Sequence, residues 1–189
     1  MDYRRFGKTI VMRIDRGEEI LTQMKAMAIK EDIKLASVRA LGAVDDFTVG
    51  VFKPVEKKYY ANHFTGDFEI VSLTGTINTM DGEYYAHLHM SAGDEQGRVF
   101  GGHLNEAIVS ATCEMVVEVI DGRVDRARDE ELGLNLFKLK TPCGWRILRD
   151  PSAVLLFSKN KPIRAVSLDI GSLSGYALVR GLPVEEELP

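Results

Sequence analysis

A chain of 189 residues, 45% hydrophobic and 28% charged, is long enough to bury a core without disulfide or metal staples, and it holds no apolar run near the ~18 residues of a membrane-spanning helix. The net charge of −4 is unevenly placed: residues 1–139 carry 17 basic and 23 acidic side chains, or −6, while 140–189 carry 7 and 5, or +2. An acidic main unit opposes the phosphate neutralisation behind non-specific DNA binding, and two cysteines, Cys113 and Cys143, outside any C-x-x-C pair, exclude a disulfide framework.

The N-terminal MDYRRFGKTIVMRID has no apolar h-region and does not read as a secretory signal, so a soluble, cytoplasmic protein is expected. From Arg4 to Ile14, Phe6, Ile10, Met12 and Ile14 recur on even positions, which predicts one strand with a buried face. Asp15 is then placed as an N-cap, with Glu18 three residues on completing a capping box and Glu19 adding negative charge to the first turn. Ile20, Leu21, Met24, Met27 and Ala28 follow at helical spacing and read as a core-facing stripe, not as ligands.

Separate strands are expected in LASVRALGAV, FTVGVFKP, KKYYANHF, FEIVSLTGTI, YYAHLHMSA, RVFGGHL and AIVSATCEMVVEV, punctuated by Gly, Asp and Pro. Asp81-Gly82 and Asp121-Gly122 signal tight hairpin turns, because Gly accepts the positive φ that such turns require. The composition changes after Leu139, where five of the six prolines lie and no histidine occurs. Two units follow: a sheet-rich domain, 1–139, and a C-terminal extension, 140–189, of unknown role. SAVLLF, IRAVSLDI and YALVR are possible short strands in the extension, and VEEELP reads as a solvated end.

The informative segment is YYAHLHMSAGDEQGRVFGGHL. Side chains at i and i+2 share a face of a strand, so His87 and His89 project together. A hairpin centred near Gln96 puts His103 opposite His89 and diagonal to His87, at cross-strand distances that imidazoles can span to a metal. Gly101 and Gly102 permit a bulge or a close backbone approach just before the third histidine. Three neutral nitrogens suit Zn, with Ni, Co, Fe or Cu admissible. The plainer reading of H-x-H alone is two histidines on a polar face.

These pieces, with RIDRGEEI, VRALGAV, GDFEIVSLTGTI and ATCEMVVEV, resemble the plants-and-prokaryotes-conserved domain family in its prokaryotic form, over most of residues 4–139. The resemblance implies an α+β domain, a mixed and largely antiparallel sheet with one main N-terminal helix. It also implies a homotrimer and a metal at His87, His89 and His103. The family fold is similar to that of acetolactate decarboxylase, whose zinc three histidines also hold. Its link with DNA comes from plant members that join the domain to R-G-R-P segments, and none occurs here.

Among other candidates, Glu114 lies on the polar face of its strand and is weighed as a histidine-orienting group, a fourth ligand or a general acid/base, against a solvated or ion-paired carboxylate. Cys113 reads as a buried hydrophobe, Glu69 as structural unless the site is shared between subunits, and His63 as an exposed strand residue. Arg39 is a possible contact for an anionic ligand or an ordinary ion pair, and Tyr59 and Tyr60 read as a half-buried strand pair. Two functions follow as expectations. One is a metal-binding homotrimer with a regulatory or DNA-associated role and a possible small anionic ligand at the metal, away from any membrane. The other is a small zinc-dependent lyase- or hydrolase-like enzyme.

Overall fold

The computed structural model describes residues 1–139 and the backbone of Phe157–Ser158 and Lys161–Pro162. The chain divides into Met1–Leu139 and Lys140–Pro189. In the second unit the two dipeptides pair antiparallel; the strands expected there otherwise lie outside the described residues.

The first unit runs β1 (Asp2–Phe6), β2 (Thr9–Asp15), α1 (Ile20–Lys30), β3 (Ala36–Lys53), β4 (Lys58–Met80), β5 (Glu83–Gly93), β6 (Val99–Val119), β7 (Asp125–Asp129) and β8 (Leu134–Lys138). It is an α+β domain with one helix on a mostly antiparallel sheet. No helix among the described residues is long and apolar enough to cross a membrane. The strand expected over 4–14 is a hairpin: Gly7, at φ 61°, turns the chain, so Ile10, Met12 and Ile14 are buried while Phe6 is exposed.

The helix also starts later than expected. Gly17, at φ 82°, turns the chain, Gly17 N donates to Val109 O at 2.8 Å, and Val109 N donates to Glu18 O at 3.0 Å. This tethering to β6 makes Glu19 the N-cap; its carboxylate accepts from Leu21 N at 2.9 Å and Thr22 N at 2.6 Å. Glu18 still reaches back to Asp15 N at 2.8 Å, as a capping box would. Ile20, Met24, Met27 and Ala28 enter the core beside Ile10, Met12, Met115 and Val117 of the sheet.

β3, β4 and β6 each run through positions expected to break them. Register shifts at Ala40/Gly42 and Val44/Asp46 in β3, and at Thr48/Val49 against β6, absorb the extra residues as irregularities in continuous strands. β3 pairs with β4 and β6, and β5 also pairs with β4 and β6, so these four strands form a closed hydrogen-bonded circuit. Asp81-Gly82 forms the tight β4–β5 turn, with φ 52° and 88°. Asp121-Gly122 does not make a hairpin: β7 leaves β6 and pairs parallel with β4 through Thr79 and Met80, then carries β8 antiparallel on its other edge.

Candidate metal centre

The turn from β5 to β6 fixes the histidine register. The Asp94 carboxylate accepts from Gln96 N at 3.0 Å and Arg98 N at 2.9 Å and pairs with Arg98 Nη2 at 2.6 Å, while Gly97 takes φ 75°. Gly93 then faces Val99, and His89 faces His103. The glycines before His103 serve close approach without a bulge: a Cβ on Gly102 would lie 2.5 Å from Gly50 O, and one on Gly101 2.8 Å from Met90 O. His103 therefore sits between His89 on β5 and Gly50 on β3. His87 lies beyond the described β5–β6 ladder, where β5 is held by β4 through Thr76.

The three rings converge. Their centroids are 5.2 Å apart for His87 and His89, 5.0 Å for His87 and His103, and 5.8 Å for His89 and His103. One nitrogen from each lies within 4.8 Å of the others. Tetrahedral zinc with ~2.0–2.1 Å bonds needs nitrogens about 3.4 Å apart, so the set would close by up to about 1.4 Å on taking up the ion. Burial, reinforced by the charges of His103, Arg126 and His89, pushes His87 down to about 4. Burial followed by His89 and Arg126 also lowers His103. Both rings are thus held in the neutral form that binds a cation.

The histidines open into a cavity of about 580 Å³ lined by apolar parts of β3, β4 and β8, including Val51, Phe52, Leu134 and Leu136. Tyr59 meets His103 edge-on at 6.1 Å, and its hydroxyl donates to Asn105 Oδ1 at 2.5 Å. Arg126 of β7 enters from the other side, 7% exposed, with Nη2 3.3 Å from His87 Nδ1. Neither residue was assigned to the site from sequence. Tyr59 alternates with Tyr60, which instead turns to Glu56 and Lys53. Arg126 sits in DRARD, a charged pentapeptide with no core signature, and only the parallel pairing with β4 brings it to His87.

The fold does not bring Glu114 to the histidines. It lies at the opposite end of β6, facing Arg13 and Leu41, and lines a separate depression with Tyr3 and Phe6. Eleven residues at ~3.3 Å each put it roughly 36 Å along the strand from His103, too far to ligate or orient a histidine of its own chain. Glu69 is exposed on β4 between Ala43 and Gly93. Arg39 makes the ordinary ion pair, with Glu118 at 3.5 Å. His63 is exposed as expected, with Thr48 Oγ1 3.0 Å from its Nδ1. Cys113 is buried, and burial pushes its thiol up to about 12, which makes it inert.

The fold is similar to that of several solved structures. A metal-containing protein from Archaeoglobus fulgidus is 31% identical, with a TM-score of 0.66 over 72% of this chain and 98% of its own. A plant- and prokaryote-conserved protein from Pyrococcus horikoshii is 32% identical, with a TM-score of 0.65 over 75% of this chain and 96% of its own. A candidate DNA-binding protein from Bacteroides thetaiotaomicron is 31% identical, with a TM-score of 0.71 over 72% and 96%. No curated protein sequence matches. Residues 1–121 match the Plants and Prokaryotes Conserved domain. That match, with the fold around the histidines, makes the chain a member of the Plants and Prokaryotes Conserved domain family.

Proposed function

We propose that this protein binds a divalent transition metal, zinc by preference, through His87, His89 and His103, and uses the remaining coordination position to hold a small ligand in the adjoining cavity. The observation that carries the reading is the convergence of three imidazoles from two adjacent strands at one wall of a cavity of about 580 Å³, a size typical of small-molecule sites. The metal content of the Archaeoglobus fulgidus relative supports it. Elemental analysis of the full chain, purified without chelator or polyhistidine tag, tests it. About one ion per chain is expected, and a protein that neither retains nor takes up metal overturns it.

Binding is favoured over zinc-dependent lyase or hydrolase chemistry because no carboxylate is among the residues lining the cavity, and Glu114, the acid/base candidate, lies elsewhere. The metal would act as a Lewis acid toward whatever occupies the open position. The protein's own contribution is to hold three imidazoles together and to exclude water with apolar walls.

The same reading includes a homotrimer. Phe6, Val11, Leu41, Val71 and Val99 are 57%, 46%, 59%, 61% and 54% exposed, and large apolar side chains spread over neighbouring strands are the material of a subunit interface. A regulatory role would run through this assembly and its metal. DNA association, suggested by the description of the Bacteroides thetaiotaomicron relative, would need a partner or a local basic surface to offset the acidic main unit.

A further inference from the structure

Among the described residues, Arg126 is a buried cation without a counter-anion. Its hydrogen-bond partners among the described residues are Asn78 Oδ1 at 3.3 Å, Asn135 O at 2.7 Å and His87 Nδ1 at 3.3 Å, none of them negatively charged. The neighbouring Asp125 is engaged elsewhere, with Thr79 and Arg123. The rings of Tyr85 and Phe137, 5.0 and 4.3 Å from the guanidinium carbon, hold the group in place and stabilise it in part. Buried charges are ordinarily paired, and removing one from water without a partner costs several kcal/mol in general. A guanidinium that lines a cavity in this state is open to pairing with an anion.

Its contact with His87 couples that group to the metal. A neutral imidazole has one nitrogen that can accept, and Arg cannot accept at all. Since Arg126 donates to Nδ1, the His87 proton resides on Nε2, and neither ring nitrogen is then free for a cation. Metal capture by His87 takes Nδ1 from Arg126 or moves the proton onto it. In either case one Arg126 N–H loses its acceptor beside the metal position.

We infer that the cavity is a metal-dependent site for small carboxylates with an apolar body, the carboxylate lying between Arg126 and the metal position and the body lying against Val51, Phe52, Leu134 and Leu136. This inference rests on the metal centre proposed above. A carboxylate fits better than a phosphate group because Arg126 is the only Lys or Arg among the lining residues and the walls are largely apolar. Nη1 and Nη2 each carry a second hydrogen beyond those given to Asn135 and His87, so the guanidinium has donor capacity left without breaking its bonds to Asn78 and Asn135.

Calorimetric titration of the full chain decides the matter, with Zn²⁺ alone first, then with acetate, hexanoate and the neutral isostere hexanamide, on zinc-loaded and chelator-treated protein. The zinc-loaded protein is expected to bind hexanoate, to bind it about fourfold tighter for each methylene added from acetate, and to show no measurable affinity for hexanamide. Withdrawal of zinc should weaken hexanoate by about tenfold or more. Arg126→Gln should take up Zn²⁺ at least as well as the native chain, because the competitor for His87 is gone, while hexanoate binding falls by about tenfold or more. If that variant fails to fold, the hexanoate–hexanamide pair on the native protein still decides. Equal binding of the pair, equal hexanoate affinity with and without zinc, or undiminished hexanoate binding by folded Arg126→Gln overturns the inference. Zinc uptake without hexanoate binding overturns this inference alone, whereas no zinc uptake overturns the metal centre and this site together.

Discussion

Single side chains at this site take their meaning from what faces them across the strands. His103 is the only one of the three histidines supplied by β6, so His103→Ala removes the ligand that brings the second strand to the metal. Metal content should fall from about one ion per chain to a small fraction of that with the fold retained, as elemental analysis beside circular dichroism would show; full metal retention would refute the ligand set. His87 carries a pH signature. Its folded-state value is about 4 against an ordinary 6.5, so between those limits the unfolded chain binds the proton that the folded chain refuses. Metal-free protein should therefore lose stability as pH falls from about 6.5 toward 4, and not regain it on further acidification. Urea midpoints across that range should fall less steeply for His87→Gln than for the native chain. Sequence made His87, His89 and His103 legible because spacing and turn position sufficed to register them. It left Arg126 invisible because its role depends on β7 reaching β4 from far along the chain.

The elements show where strand periodicity is informative and where it misleads. The buried even positions of β2, the methionine stripe of α1 and the β5–β6 register were all readable, since each follows from local alternation or a short turn. The continuity of β3, β4 and β6 was not. Asp45-Asp46, Gly66-Asp67 and Asn105-Glu106 look like turn residues, but in long twisted strands they are accommodated as register shifts that let the sheet close on itself. Closure also places a severe steric demand on the β3–β6 contact beside His103. A methyl group at Gly102 would meet Gly50 O at 2.5 Å, whereas one at Gly93 would meet Val71 Cγ2 at an ordinary 3.4 Å. Gly102→Ala should thus destabilise the protein by about 1–3 kcal/mol and weaken zinc binding by moving β6 away from β3, while Gly93→Ala should do neither. Chemical denaturation and zinc titration of the two variants check this. Equal behaviour would mean that the backbone approach at Gly102 does not set the position of His103.

For the whole molecule, exposed apolar surface and charge lead to separate expectations. Leu41 and Val71 stand on adjacent strands, exposed by 59% and 61%, and burying them between subunits would remove that surface from water. Sedimentation equilibrium of the full chain at micromolar concentration should give a trimer, and Leu41→Glu should shift it toward monomer; a native chain that sediments as monomer would remove the trimer. Charge bears on the DNA reading attached to relatives of this fold. Each chain carries −4, so three copies carry −12 by simple multiplication, and the main unit alone is at −6. Counterion release requires clustered cations, yet several arginines are already committed: Arg5 to Glu31, Arg13 to Asp15, Arg98 to Asp94 and Arg123 to Asp125. Binding to unrelated duplex DNA at ~150 mM salt should be no tighter than the micromolar range of non-specific contacts, and it should remain weak with and without zinc. A salt titration of duplex binding with the zinc-loaded and chelator-treated protein measures this. Submicromolar affinity that collapses steeply as salt rises would show that trimer geometry concentrates basic side chains in a way net charge conceals, and would make direct DNA binding the leading function.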